Sequence, residues 1–196
     1  NTAVGQVALK SNTTGASNVA IGRKALQDAT TAIQNTAVGT SAMENVTTGT
    51  ENTSLGYQTL DALTTGGANV AVGHSALSSL TTASDNTAVG KSAGASTTTG
   101  SNNTSLGRTA LGANSTGSNN TAIGYNVLLS NTTASNNTGV GHNTLSNTTT
   151  GTGNVGVGYE VLMANTTASY NTAMGYQALN DNTSGTENVA VGAFAL

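Results

Sequence analysis

Glu44 and Asp61 are the two residues of this chain whose types and spacing come nearest to catalysis. A retaining glycosidase needs two carboxyl groups about 5–5.5 Å apart. Glu44 and Asp61 are separated by a 17-residue interval. If that interval is one turn of a stacked coil, strands about 4.8 Å apart would bring the carboxylates that close. No partner acid or aromatic cleft accompanies them, and the equivalent position elsewhere holds Lys, Gln, Ser, Ala, Gly, Leu, Met or Asn. The pair reads as solvated like charges. His74 and His142 lie four such turns apart, roughly 19 Å on the same geometry, too far to share a metal ion. The string GNVGVG, beginning at Gly153, has the look of a phosphate loop, but its glycines follow from a repeat. The sequons at Asn12, Asn131 and Asn165 likewise follow from the repeat and carry no inference about glycosylation. No catalytic residue, metal site or cofactor is assigned, and the chain is read as non-enzymatic.

The interval behind all of these is strict. The word NTAVG stands at Asn1, Asn35 and Asn86, with near-copies such as NVAIG at Asn18 between them. An asparagine recurs with a 17-residue period from Asn1 to Asn188 with no insertion, giving eleven full repeats and a nine-residue stub over residues 1–196. A period of about 20 residues marks a solenoid in which each repeat is one coil stacked on its neighbours. The expected fold is all-β: a parallel β-solenoid with one 17-residue coil per rung, a single continuous array without linker or second domain. Beginning without Met and ending mid-repeat, the array is expected to be a segment of a longer fibre, its anchor and export signals elsewhere.

Composition fits a repeat fibre. Charged residues make up 7% and aromatic residues 3% of the chain, against a usual charged share of about 25%. Glycine is frequent but proline is absent, which excludes collagen and a Pro-rich stalk. Disorder is excluded by aliphatic residues held at fixed positions in every repeat. There is no cysteine, and five Lys and Arg residues cannot make a nucleic-acid footprint. No 18-residue apolar run is present, so this segment is not expected to span a membrane.

Counting the opening asparagine as place 1, each place has its own character. Place 2 is Thr or Val, place 4 is aliphatic (Met174 once), and place 9 is Leu in nearly every coil. Places 2 and 4 share one face of a short strand, and place 3 faces the other way. Two strand segments are predicted, over places 2–4 and 7–9, with a third extended piece possible at the Thr-Thr pair of places 13–14. Asn1, Asn18, Asn35 and their successors suit a corner where the amide bonds the backbone or stacks in a ladder along the axis. Gly5, Gly22, Gly39 and all later place-5 glycines imply a backbone angle or close approach that a Cβ forbids. Place 15 alternates between Gly and Ala, so it requires smallness alone. Gly94 breaks the leucine column at place 9, where a leucine is expected to add stability if the backbone is an ordinary strand.

All charges fall at places 6, 7, 10, 11 or 17. Neither face of the place 2–4 strand carries one. One face can fill the interior of the coil; the other is expected to be buried against another chain, which predicts a homo-oligomer. Place 6 forms a row of large polar and aromatic groups: Tyr57, His74, Lys91, Arg108, Tyr125, His142, Tyr159 and Tyr176 on consecutive coils. Such a row is suited to sugars, surfaces or partner fibres, and Tyr125, His142, Tyr159 and Tyr176 are expected to form a continuous aromatic strip.

The words N-T/V-A-V/I-G-x-x-A-L followed by T-T-G, as in NTAIGYNVLLSNTTASN from Asn120 and NTAMGYQALNDNTSGTE from Asn171, resemble the head repeats of trimeric autotransporter adhesins and similar repeats of bacteriophage tail fibres. The resemblance covers the whole chain. It implies a left-handed β-roll, three chains side by side, and a stiff extracellular, cell-surface or virion rod for attachment to a surface glycan or host cell. The adhesin heads typically use a shorter repeat, so the 17-residue period is nearer the tail-fibre version. The alternative from another class is an ice-binding β-solenoid. An ice face needs threonines at alternate places, whereas the adjacent Thr-Thr of places 13–14 sends its side chains apart.

Overall fold

The computed structural model describes residues 1–196. Twelve short strands, β1 (Thr2–Val4) through β12 (Val189–Val191), one from each coil, form a single parallel sheet in sequence order. Register is one repeat per rung: Thr2 lies opposite Val19, Ala3 opposite Ala20 and Val4 opposite Ile21, and the same offset holds along the sheet. The chain is a β-solenoid with 17-residue coils.

Alternation decides what each strand buries. Place 3 points inward, and Ala20, Ala37, Ala71 and Ala88 are fully buried. Places 2 and 4 point outward, so that Val4 is 57%, Leu55 49% and Val191 69% exposed in the single chain. The interior is completed by place 8 alanines and by place 9, where Leu26, Leu60, Leu111 and Leu128 have no exposure.

The predicted second strand over places 7–9 is absent. That stretch is a turn in which places 7 and 9 adopt left-handed backbone angles, as at Lys24 (φ 64°) and Leu26 (φ 49°), and place 17 does the same, as at Glu51 (φ 60°). A left-handed residue other than glycine costs about 1–2 kcal/mol. The conformation turns place 9 into the core and keeps its amide in the inter-coil ladder: Leu26 N–H donates to Ala42 O at 3.1 Å, and Lys24 N–H donates to Gln6 O at 3.0 Å. The Thr-Thr pair is not a strand either; beside it the only extended pairing is a bridge between Ile33 and Thr50. Of 123 backbone hydrogen bonds only 26 lie within the strands, and most of the others also join one coil to the next, as Thr13 N–H does to Thr30 O at 2.9 Å.

Place 5 needs glycine on two counts. Gly5 has φ +132°, and a Cβ there would sit 2.5 Å from the carbonyl oxygen of Gly22 in the next coil. At place 15 the glycines have no such angle, consistent with Ala32 and Ala83 in the same column. Gly94 has φ +58°, like the leucines of its column, so the strand premise for adding a leucine there does not hold. Leu77 Cδ2 lies 2.9 Å from where a Cβ would stand. The apolar core divides at this coil, one cluster ending at Ala93 and the next beginning at Ala110.

Beyond that division the inward place 12 turns polar. Ala29, Val46, Leu63 and Leu80 give way to Thr97, Asn114, Asn131, Thr148 and Asn165, all buried. Asn131 Nδ2 donates to Asn114 Oδ1 at 2.8 Å and to Ala134 O at 3.0 Å. The next coil holds Thr148, whose hydroxyl donates away to Asn165 O, and Asn131 Oδ1 is left buried without a partner. An asparagine at 148 could donate to it as Asn131 does to Asn114. Thr148→Asn is therefore expected to raise stability by about 1 kcal/mol, read as a higher denaturation midpoint at unchanged slope; a lower midpoint would show that the column does not tolerate the longer amide.

Candidate functional site

The place 6 row carries four of the chain's five tyrosines and both of its histidines. In most coils the strand stops before the place 5 glycine, and the side chain at place 6 projects to solvent. In three coils the strand continues through it: β8 (Thr121–Tyr125), β9 (Thr138–His142) and β10 (Val155–Tyr159). These coils belong to the stretch in which the row is aromatic without interruption.

The rings stack on one another. Tyr125 and His142 have centroids 5.2 Å apart at 32°, His142 and Tyr159 5.2 Å at 12°, and Tyr159 and Tyr176 5.1 Å at 6°. Arg108 caps the run, its Cζ 5.8 Å from the centre of Tyr125, and Phe194, at place 7, meets Tyr176 edge-on. Tyr57 and His74 form a separate pair at 5.2 Å, divided from the longer run by exposed Lys91. Ring faces are thus covered by neighbouring rings, while Tyr125 and Tyr159 remain 40% exposed. A ligand on this row meets phenol hydroxyls and ring edges, not open faces.

Place 7 adds residues that the sequence reading did not group with the row. Gln177 Nε2 donates to Glu160 Oε2 at 2.8 Å. That hydrogen bond, followed by one from the Tyr159 phenol, holds the Glu160 carboxyl below its ordinary range; the bond to Glu160 in turn raises the Tyr159 phenol. The recurrence of charge at both places 6 and 7 was the signal that could have joined them.

The remaining sequence features resolve simply. Glu44 accepts from Lys24 Nζ at 2.7 Å, which holds its carboxyl below the usual range. Asp61 is raised, first by desolvation and to a lesser extent by the charge of Glu44, and its Oδ1 is buried without a partner. The residues of GNVGVG run into strand β10 and do not form a loop. Asn131 and Asn165 are fully buried, their amides turned to backbone carbonyls. No cleft interrupts the surface, no group of three acidic, His or Cys residues could hold a metal, and no helix is long and apolar enough to cross a membrane.

No protein-family model, curated protein or solved structure matches the chain.

The raised Asp61 carboxyl gives a signed expectation. A folded-state value above the unfolded one means that the folded chain binds the proton more tightly. The associated stability is present at acid pH and is lost as pH rises through the folded value. Asp61→Asn, which cannot ionise, should therefore melt higher than the parent at pH 7, with the difference shrinking towards pH 3. Equal melting temperatures across that range would mean that the Asp61 carboxylate is solvated in the folded chain.

Proposed function

We propose that this chain is a non-enzymatic structural rod, part of an extracellular, cell-surface or virion fibre used for attachment, and that it assembles as a homotrimer through the outer face of its sheet. The observation that carries the reading is that face itself. From Thr2 to Val191 it presents threonine, valine, isoleucine, leucine and Met174, with no charged residue among them. Monomeric soluble proteins rarely expose a contiguous apolar patch of more than a few hundred Å². Burial of this face against copies of itself would offset the cost of ordering a thin coil, about 1–2 kcal/mol per backbone residue. The number three, the left hand and the attachment role rest on the resemblance to adhesin heads and tail fibres.

The flank that meets a target is assigned to place 6. Its stacked rings hold one another in place and leave hydroxyls and edges for a surface glycan or host-cell surface. Nothing in the coil is suited to nucleic acid: Lys and Arg number five and are scattered.

One experiment tests assembly and attachment together. Native mass is measured for the parent and for the quadruple variant Tyr125→Ser, His142→Ser, Tyr159→Ser, Tyr176→Ser, and both are applied to a printed array of cell-surface glycans. Both proteins should weigh three chains, and only the parent should bind. Melting of the variant should fall modestly, because stacked aromatic pairs contribute about 0.5–1.5 kcal/mol each. A monomeric parent would remove the oligomeric rod, and undiminished glycan binding by the variant would remove the place 6 assignment.

A further inference from the structure

The flank formed by places 13–16 carries a second surface, independent of the sheet face and of the aromatic row. Place 15 is turned inward, and Gly49, Gly66, Gly100, Ala134 and Ala168 are all buried. On either side of it, place 14 is exposed from Thr14 to Thr167, and place 16 is half-buried at Ser84, Ser101, Ser118 and Ser135. The adjacent threonines of places 13 and 14 do diverge, but alternate spacing is present one step further along, with two threonines in Thr48-Gly49-Thr50 and Thr150-Gly151-Thr152 and with threonine and serine in Thr82-Ala83-Ser84, Thr99-Gly100-Ser101 and Thr116-Gly117-Ser118.

The three hydroxyl files have different states. At place 13 nearly every hydroxyl is spent on the next coil, as Thr30 Oγ1 donates to Thr47 O at 3.1 Å and Thr98 Oγ1 to Ser115 O at 3.0 Å. At place 16 the serine hydroxyls accept from the backbone of the preceding coil: Gly67 N–H donates to Ser84 Oγ at 3.0 Å and Ser118 N–H to Ser135 Oγ at 3.0 Å. Accepting fixes the oxygen and leaves its own hydrogen free to donate outward. At place 14 the threonines from Thr14 to Thr167 are exposed, and none of their hydroxyls bonds within the chain. Their β-branched side chains have few χ1 choices, so the file is stiff as well as regular.

We infer that this flank binds ice. Its ligand must be neutral, hydrogen-bonding and periodic along the solenoid axis at the spacing of stacked coils, about 4.8 Å. Ordered water in hexagonal ice has that character: its lattice repeats on nearly the same scale along its a axis, and it both donates and accepts at every site. No charge occurs at places 12–16 in any coil, and so no ammonium or carboxylate on this flank imposes a hydration shell of its own. A single threonine–water contact gives almost no net affinity. Two parallel files of hydroxyls, one on every coil and the other on most, act at once, and simultaneous engagement turns many weak contacts into firm retention.

The test is ice-affinity partition. The fluorescently labelled full chain is placed in a dilute solution from which a shell of ice is grown slowly, and label is measured in ice and in the remaining liquid. The parent should enter the ice severalfold more than a non-binding globular protein of similar mass. The triple variant Thr99→Tyr, Thr116→Tyr, Thr133→Tyr, whose bulky rings stand off the lattice on three consecutive coils, should lose that enrichment with its circular dichroism unchanged. The single variant Thr116→Tyr serves if the triple variant misfolds, and should lose part of it. The place 6 quadruple variant should partition like the parent, which separates this flank from the attachment row. Exclusion of the parent from ice, or enrichment that survives in a folded triple variant, overturns the inference. So does enrichment lost in the place 6 variant but kept in the place 14 variants.

Discussion

A buried asparagine once per coil holds this structure in register. Asn52 shows the pattern: its amide N–H and its Nδ2 both donate to Asn35 Oδ1, at 2.9 and 3.0 Å, and Nδ2 also donates to Gly66 O at 2.9 Å. Its own Oδ1 accepts the amide and Nδ2 of Asn69, both at 3.0 Å. Each asparagine thus ties its coil to the one before, to the one after, and to its own place 15. A coil one residue longer or shorter would bury the amide with its partners displaced, and an unsatisfied buried group costs about 1–3 kcal/mol. The invariance of the 17-residue period follows from that penalty repeated at every rung.

The turns are shaped to serve the ladder. Three left-handed residues per coil and a place 5 glycine near φ +130° fold the backbone tightly enough for amides outside the sheet to reach the neighbouring coil. Stacking in register then turns every outward place into a continuous file. The same device yields the apolar sheet face, the stacked rings of place 6 and the hydroxyl files of places 14 and 16. A solenoid of this type can carry several flanks with different chemistry because adjoining places point in different directions while each file remains straight.

Much of this was legible in the sequence, and the misses have physical causes. The period, the sheet at places 2–4, its two uncharged faces, the asparagine corner and the place 5 constraint are all visible because each depends on residue type. The turn at places 7–9 was not. Ala-Leu at places 8 and 9 is compatible with a strand, and nothing about Leu26 announces a left-handed angle that leucine ordinarily avoids. The surface made by the place 14 and place 16 hydroxyls was hidden for a related reason. Their alternate spacing is plain in the sequence, as in Thr48-Gly49-Thr50, but the burial of place 15 between them is displayed only by the folded coil. In the candidate row the aromatic continuity from Tyr125 to Tyr176 could be read from the repeat, but the coverage of one ring by the next is a property of rotamers.

Side-chain oxygens, not backbone carbonyls, hold the place 1 amides. Hydrogen exchange at Asn103 tests it directly, because its amide donates to Asn86 Oδ1 at 3.0 Å. In Asn86→Ala, measured under conditions where the rod stays folded, exchange should accelerate strongly at Asn103, while the Thr87 amide, which donates to Asn103 O at 2.8 Å, should retain far more protection. Protection at Asn103 unchanged by the substitution would mean that its amide is held by something other than the asparagine ladder.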